Sequence, residues 1–143
     1  MADALYSAQI LRLKLAGEGA HRLPVPAGTA ARVSPVCGSK VIADVALAPD
    51  GTIAAVALDA SRACTLGQAS AAVLTEQAVG RDAAALAATR SALADFLAGR
   101  QDAAPEGWAC FAPARAHRAR HPSILLPLDA LLAALADAGL AAA

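Results

Sequence analysis

Three cysteines and three histidines are the side chains of this 143-residue chain best suited to soft-metal or sulfur chemistry, and their neighbours set some of them apart. Cys37 stands in the stretch SPVCGSK, between a proline turn and the start of an apolar run, with Gly38 directly after it. That glycine removes a side chain beside the sulfur, so the backbone can approach a bound group and turn its N–H toward the thiol. Cys64 directly precedes TLGQAS, a helix start kept uncluttered by Gly67, Ala69 and Ser70. A thiolate at a helix N-terminus is stabilised by the positive end of the dipole. His117 and His121 follow in PARAHRARHPS, spaced i, i+4 among Arg115, Arg118 and Arg120. Two thiolates and an imidazole suit zinc or an iron–sulfur cluster. There is no C-x-x-C pair, so such a site has to be assembled by the fold from distant segments. Read alone, a cysteine is more often a small buried hydrophobe, and such a basic stretch more often a solvated loop.

Composition narrows the classes. Twelve basic against twelve acidic residues give a formal net charge of zero, which argues against a nucleic-acid binder working through a broad positive field. No run of eighteen apolar residues suggests a membrane-spanning helix. The N-terminal MADALYSAQILRLKLAGEG reads as an amphipathic helix and a poor signal peptide. With an odd cysteine count, that points to a reducing, cytoplasmic setting with free, buried, reactive or metal-bound thiols.

The elements that must position these groups follow from periodicity and breakers. A helix is expected over residues 4–15, ended by the prolines and glycine of HRLPVPAGTA. TAARVSPV and the two runs of KVIADVALAPDGTIAAVALDA give three strands, the last two joined by a tight PDG turn. Helices follow over 65–80 and 81–99, stopped by Gly80 and Gly99. After a polar loop, a last helix is expected to start near Pro127, where a first turn tolerates proline. The expected fold is α+β in a single domain, 1–143: a small three-stranded antiparallel sheet with an N-terminal helix and three C-terminal helices packed on one face.

The order SPVCGSKVIADVALAPDGTIAAVALDASRACTLGQASAAVLTE resembles the iron–sulfur cluster scaffolds of the NifU/IscU type and their SufU-like relatives. They share a Cys-Gly before a strand, an acidic-Gly hairpin, and a second cysteine before a small-residue helix start. YSAQILRL falls at their N-terminal helix, and RARHPSILLPLDALLAAL resembles their closing segment. The resemblance implies a cluster or metal held by Cys37 and Cys64. It places His121 at or beside the position of a third cysteine that this chain lacks. Ser39 stands where the family has an aspartate, which makes it a weak candidate ligand. Asp44 lies five residues along a strand, out of reach. Cys110 reads as packing beside Trp108 and Phe111, and Ser39, Cys110, His117 or an exogenous thiol is left for the fourth position. The family's chaperone-docking stretch is reduced to the proline of FAPARAH.

The implied function is that of a non-enzymatic scaffold. It would take sulfur from a cysteine desulfurase, build a 2Fe–2S cluster and pass it to apo iron–sulfur acceptor proteins, as a monomer or weak dimer with no nucleic-acid or membrane partner. The alternative is a Zn²⁺-binding persulfide acceptor for the desulfurase, and a third reading is a diverged adaptor with a degraded site.

Overall fold

The computed structural model describes residues 5–18, 22–35 and 37–139. Helix α1 (Ala8–Ala16) starts where the Ser7 hydroxyl accepts the Ile10 N–H, three residues on, the usual N-cap exchange. Residues 1–4, where the expected helix was to begin, lie outside the described residues. Strands β1 (Gly28–Val33), β2 (Lys40–Leu47) and β3 (Ile53–Arg62) form one antiparallel sheet in the order β1-β2-β3. The β2–β3 turn is the expected one. Gly51 takes a positive φ of 87°, and the Asp50 carboxylate accepts from both the N–H and the hydroxyl of Thr52.

Alternation along β2 sends Val41, Ala43 and Val45 into the core. Asp44 points to the opposite face and yet is fully buried, because residues 22 and 23 fold over it. Its carboxylate accepts from the Arg22 guanidinium (2.6 and 3.0 Å), the Leu23 N–H (3.0 Å) and the cross-strand Thr29 hydroxyl (2.6 Å). Burial pushes this carboxyl up, but the guanidinium and the other donors outweigh it and hold it below the ordinary carboxylate range. Asp44 therefore ties down the lead-in segment and has no part in the cysteine site.

Helices α2 (Thr65–Ala78), α3 (Ala83–Leu97) and α4 (His121–Asp137) complete the domain. α4 lies across β1 and β2, α2 packs on β3 and α4, and α1 and α3 flank α2 and α4 respectively. The core between them is aliphatic, with Trp108 and Phe111 as its large aromatics. Gly80 and Gly99, at φ 89° and 83°, lie just past the ends of α2 and α3, as their sequence positions imply.

Two expectations need correction. α4 begins at His121, with Pro122 in its first turn, and Pro127 lies inside it. A proline cannot bond the carbonyl four residues back, which here belongs to Ser123. The neighbouring helix absorbs the irregularity. Ser70 on α2 donates to the next carbonyl, Ile124, at 2.6 Å, and a Cβ on Gly67 would come to 3.3 Å from the Ser123 oxygen. Tertiary packing thus carries a proline that propensity alone would exclude. The basic stretch before it is solvated over residues 116–119, as expected, but it is no irregular loop: Ala109–Ala116 and Arg118–Arg120 are 3₁₀ turns, with Phe111 and Ala114 buried.

Candidate sulfur site

Cys37 sits in the link from β1 to β2, folded back on itself by two backbone bonds: Ser34 N–H to the Ser39 carbonyl and Gly38 N–H to the Ser34 carbonyl, both 2.8 Å. Gly38 adopts a φ of +73°, a conformation that side chains resist, while an added Cβ would meet nothing within 4 Å. The glycine thus serves the turn itself. Its N–H is spent on Ser34, correcting the expectation that it points at sulfur.

The turn leaves Cys37 exposed at the rim and sets its sulfur between two hydroxyls. Ser39 Oγ, on the same link, and Ser123 Oγ, from the first turn of α4, each lie 3.0 Å from Cys37 Sγ. Both serines are buried. Ser39 Oγ also accepts the Cys64 N–H at 3.0 Å, so its single hydrogen is free to point at sulfur. The Ser123 hydroxyl, then that of Ser39, lower the Cys37 pKa to about 6; burial opposes them weakly. At neutral pH Cys37 is a thiolate.

Cys64 is the N-cap residue of α2, as its place before TLGQAS implies, and its side chain makes no cap hydrogen bond. Ser39 thus joins the two cysteine segments, contacting the sulfur of one and the backbone of the other. Gly67 keeps this corner open: a Cβ there would stand 3.1 Å from Ala63 Cβ and 4.0 Å from Cys64 Sγ.

His121 opens α4 two residues before Ser123, but its ring is engaged. Nε2 donates to the Ala114 carbonyl at 2.8 Å, an oxygen that also accepts the His117 N–H at 2.8 Å. The ring borders a groove of about 350 Å³ whose walls include Val33, Ser34, Pro35, Arg118 and Leu126. Among the described residues no three His, Cys, Asp or Glu side chains are arranged to hold a metal ion. The fold therefore brings Cys37, Ser39 and the Cys64 segment together and leaves His121 turned to Ala114. His117 is exposed. Cys110 is half-buried against the core, as its aromatic neighbours suggested, and burial pushes its thiol up. Sequence reasoning missed Ser123 and Ser34. The signal for Ser123 was its place just after Pro122, a proline fitted to a first turn; serine flanking of Cys37 on both sides was the signal for Ser34.

The fold is thus an α+β domain that brings two cysteine segments together, one on a glycine turn at the rim and one at a helix start. The chain belongs to the NifU-like family. It is 32% identical to the N-terminal part of a nitrogen-fixing NifU-like protein from Brucella abortus, with 96% of each chain covered and a TM-score of 0.88. A putative iron–sulfur cluster assembly scaffold protein for the SUF system from Fervidobacterium islandicum shares the fold, at 19% identity, 94% and 99% coverage and a TM-score of 0.77. No family model matches the sequence, and no curated protein matches it significantly. No helix among the described residues is long and apolar enough to cross a membrane.

Proposed function

We propose that this protein is an assembly scaffold that receives iron and sulfide at Cys37 and Cys64 and hands the product to acceptor proteins. The observation that carries this reading is the shared Ser39, whose hydroxyl lies 3.0 Å from both the Cys37 sulfur and the Cys64 N–H. Soft thiolates are the donors that iron–sulfur species and zinc both prefer. Two such donors fit the cargo; His121 can join as a third only by giving up the Ala114 carbonyl. The names of the NifU-like and SUF-system relatives support the same role. A cysteine desulfurase as sulfur source and apo-proteins as recipients complete the cycle. The test is metal and acid-labile sulfide analysis of protein isolated without oxygen. Iron with sulfide, lost in both Cys37→Ala and Cys64→Ala, is expected; absorption unchanged in both variants after reconstitution would sink the reading.

One observation favours sulfur acceptance as a second reading. Cys37 is exposed, carries its charge at neutral pH and has its lone pairs oriented by two hydroxyls, the properties of a nucleophile. On this reading the thiolate takes sulfane sulfur from the desulfurase, with Zn²⁺ rather than a cluster as the metal. Stoichiometric zinc without labile sulfide, together with stimulated desulfurase turnover, distinguishes it from the first.

A further inference from the structure

Among the described residues, the turn that presents Cys37 holds one buried side-chain oxygen that no hydrogen bond engages. Ser34 is 1% exposed, and its Oγ is the buried side-chain oxygen without a hydrogen-bond partner among the described residues. The Ser34 N–H and carbonyl are both bonded within the turn, which fixes the residue beside the Cys37 loop. A buried hydroxyl left unbonded has lost its water without a replacement partner, so a native fold that does so calls for a reason. The hydroxyl draws the Cys37 pKa down slightly, the least of the groups that do, without reaching bonding geometry with the sulfur. Ser34 also contributes, with Val33 and Pro35, a wall of the groove beside the turn.

We propose that the Ser34 hydroxyl is a positioning group for a second sulfur atom carried on Cys37, donating its hydrogen bond to the outer sulfur of a persulfide. This rests on the sulfur-accepting reading of the site. In the step concerned, the Cys37 thiolate attacks the outer sulfur of a donor persulfide. The Cys37 S–S bond forms as the donor's S–S bond breaks, and the electron pair leaves with the donor's thiolate. The transferred atom arrives as sulfane sulfur, so no further oxidant or reductant enters. Its proton passes to solvent, and the negative charge then lies one S–S bond, about 2.0 Å, beyond Sγ. Ser39 and Ser123, each 3.0 Å from Sγ, serve the charge before transfer. After it, the charge has moved outward, and Ser34 is the hydroxyl with a hydrogen still to give. Two serines act on the reactant and the third on the product.

The test loads the full chain with a low-molecular-weight alkyl persulfide under anaerobic conditions, removes the excess, and follows the persulfide on tryptic peptide 33–40 by mass. Wild type is expected to retain it, and Ser34→Ala to lose it about tenfold faster, the effect of one hydrogen bond to a charged sulfur. Alkylation of the bare Cys37 thiol should be nearly unchanged in Ser34→Ala. The melting temperature should stay level or rise, since an unbonded buried hydroxyl has been removed. Equal persulfide lifetimes in the two proteins overturn the proposal, as does a lowered melting temperature with slowed alkylation, which would make Ser34 merely structural. Failure of wild type to take sulfur on Cys37 overturns the sulfur-accepting reading itself.

Discussion

Removing the hydroxyls of Ser123 and Ser39 should return Cys37 most of the way to an ordinary thiol. Both donors lie 3.0 Å from Sγ and are buried, but the sulfur itself is exposed, so water offsets part of their effect. Hydrogen bonds to charged groups contribute ~1.5–3 kcal/mol, and the exposed geometry selects the low end, close to a tenfold change in the protonation equilibrium. From about 6 in the native protein, Ser123→Ala is expected to move the midpoint to about 7, and the double variant with Ser39→Ala to about 8. It stops short of the free value because the Ser39 N–H and the Ser34 hydroxyl still favour the anion. The sign follows from which form the hydroxyls bond. They stabilise the thiolate, so native Cys37 keeps its reactivity down to about pH 6 and loses it only below, while the variants lose it at higher pH. The assay is the rate of iodoacetamide labelling of peptide 33–40 against pH, read by mass so that Cys64 and Cys110 do not interfere. A midpoint that stays near 6 in the double variant would refute the reasoning, because the charge would then be stabilised by something other than the hydroxyl cradle.

Other consequences are open to direct measurement. Asp44→Ala should destabilise the domain by about 2 kcal/mol at neutral pH, through lost bonds to Arg22, Leu23 and Thr29, as read by urea denaturation. Because the Asp44 pKa is held below its ordinary value, its contribution is present above about pH 4 and lost as the pH falls through the folded pKa; the variant should lack that part of the acid-side decline. Gly28→Ala should unfold at markedly lower temperature, by several kcal/mol, since its Cβ would overlap the Ala134 carbonyl and press on Ala138 where α4 crosses β1. Ser39→Asp places a second negative charge beside the sulfur, so it should slow alkylation of Cys37 at neutral pH while raising zinc affinity, measured by competition with a chromogenic chelator.

Much of the frame was legible in the sequence because it depends on local signals. The Asp50–Gly51 turn, the cap positions before Thr65 and after α2 and α3, and the alternation of β2 are each written in a few adjacent residues. The start of α4 was not, because proline at 127 argues locally for a first turn and only contacts from Ser70 and Gly67 make it tolerable inside a helix. The stretch before α4 looked like a solvated loop because Arg115, His117, Arg118 and Arg120 crowd its end; residues 116–119 are exposed, but buried Phe111 and Ala114 decide its path. The cysteine site divides in the same way. Cys37 and Cys64 announce themselves by their glycines and helix start. Ser123 lies 86 residues from Cys37 and is one serine among several, so only the fold could select it.

That selection bears on what the site can hold. A carboxylate beside Cys37 would add a ligand and a charge, favouring a bound cation over a bare thiolate. A hydroxyl in the same place reverses the preference: it donates to sulfur, holds the anion without competing for it, and offers little to a metal while the sulfur is charged. With Ser39 and Ser123 both spent on Cys37, and His121 spent on Ala114, the resting site is organised around one sulfur atom. A metal ion held by His121 would in addition have to draw its ring away from the Ala114 carbonyl.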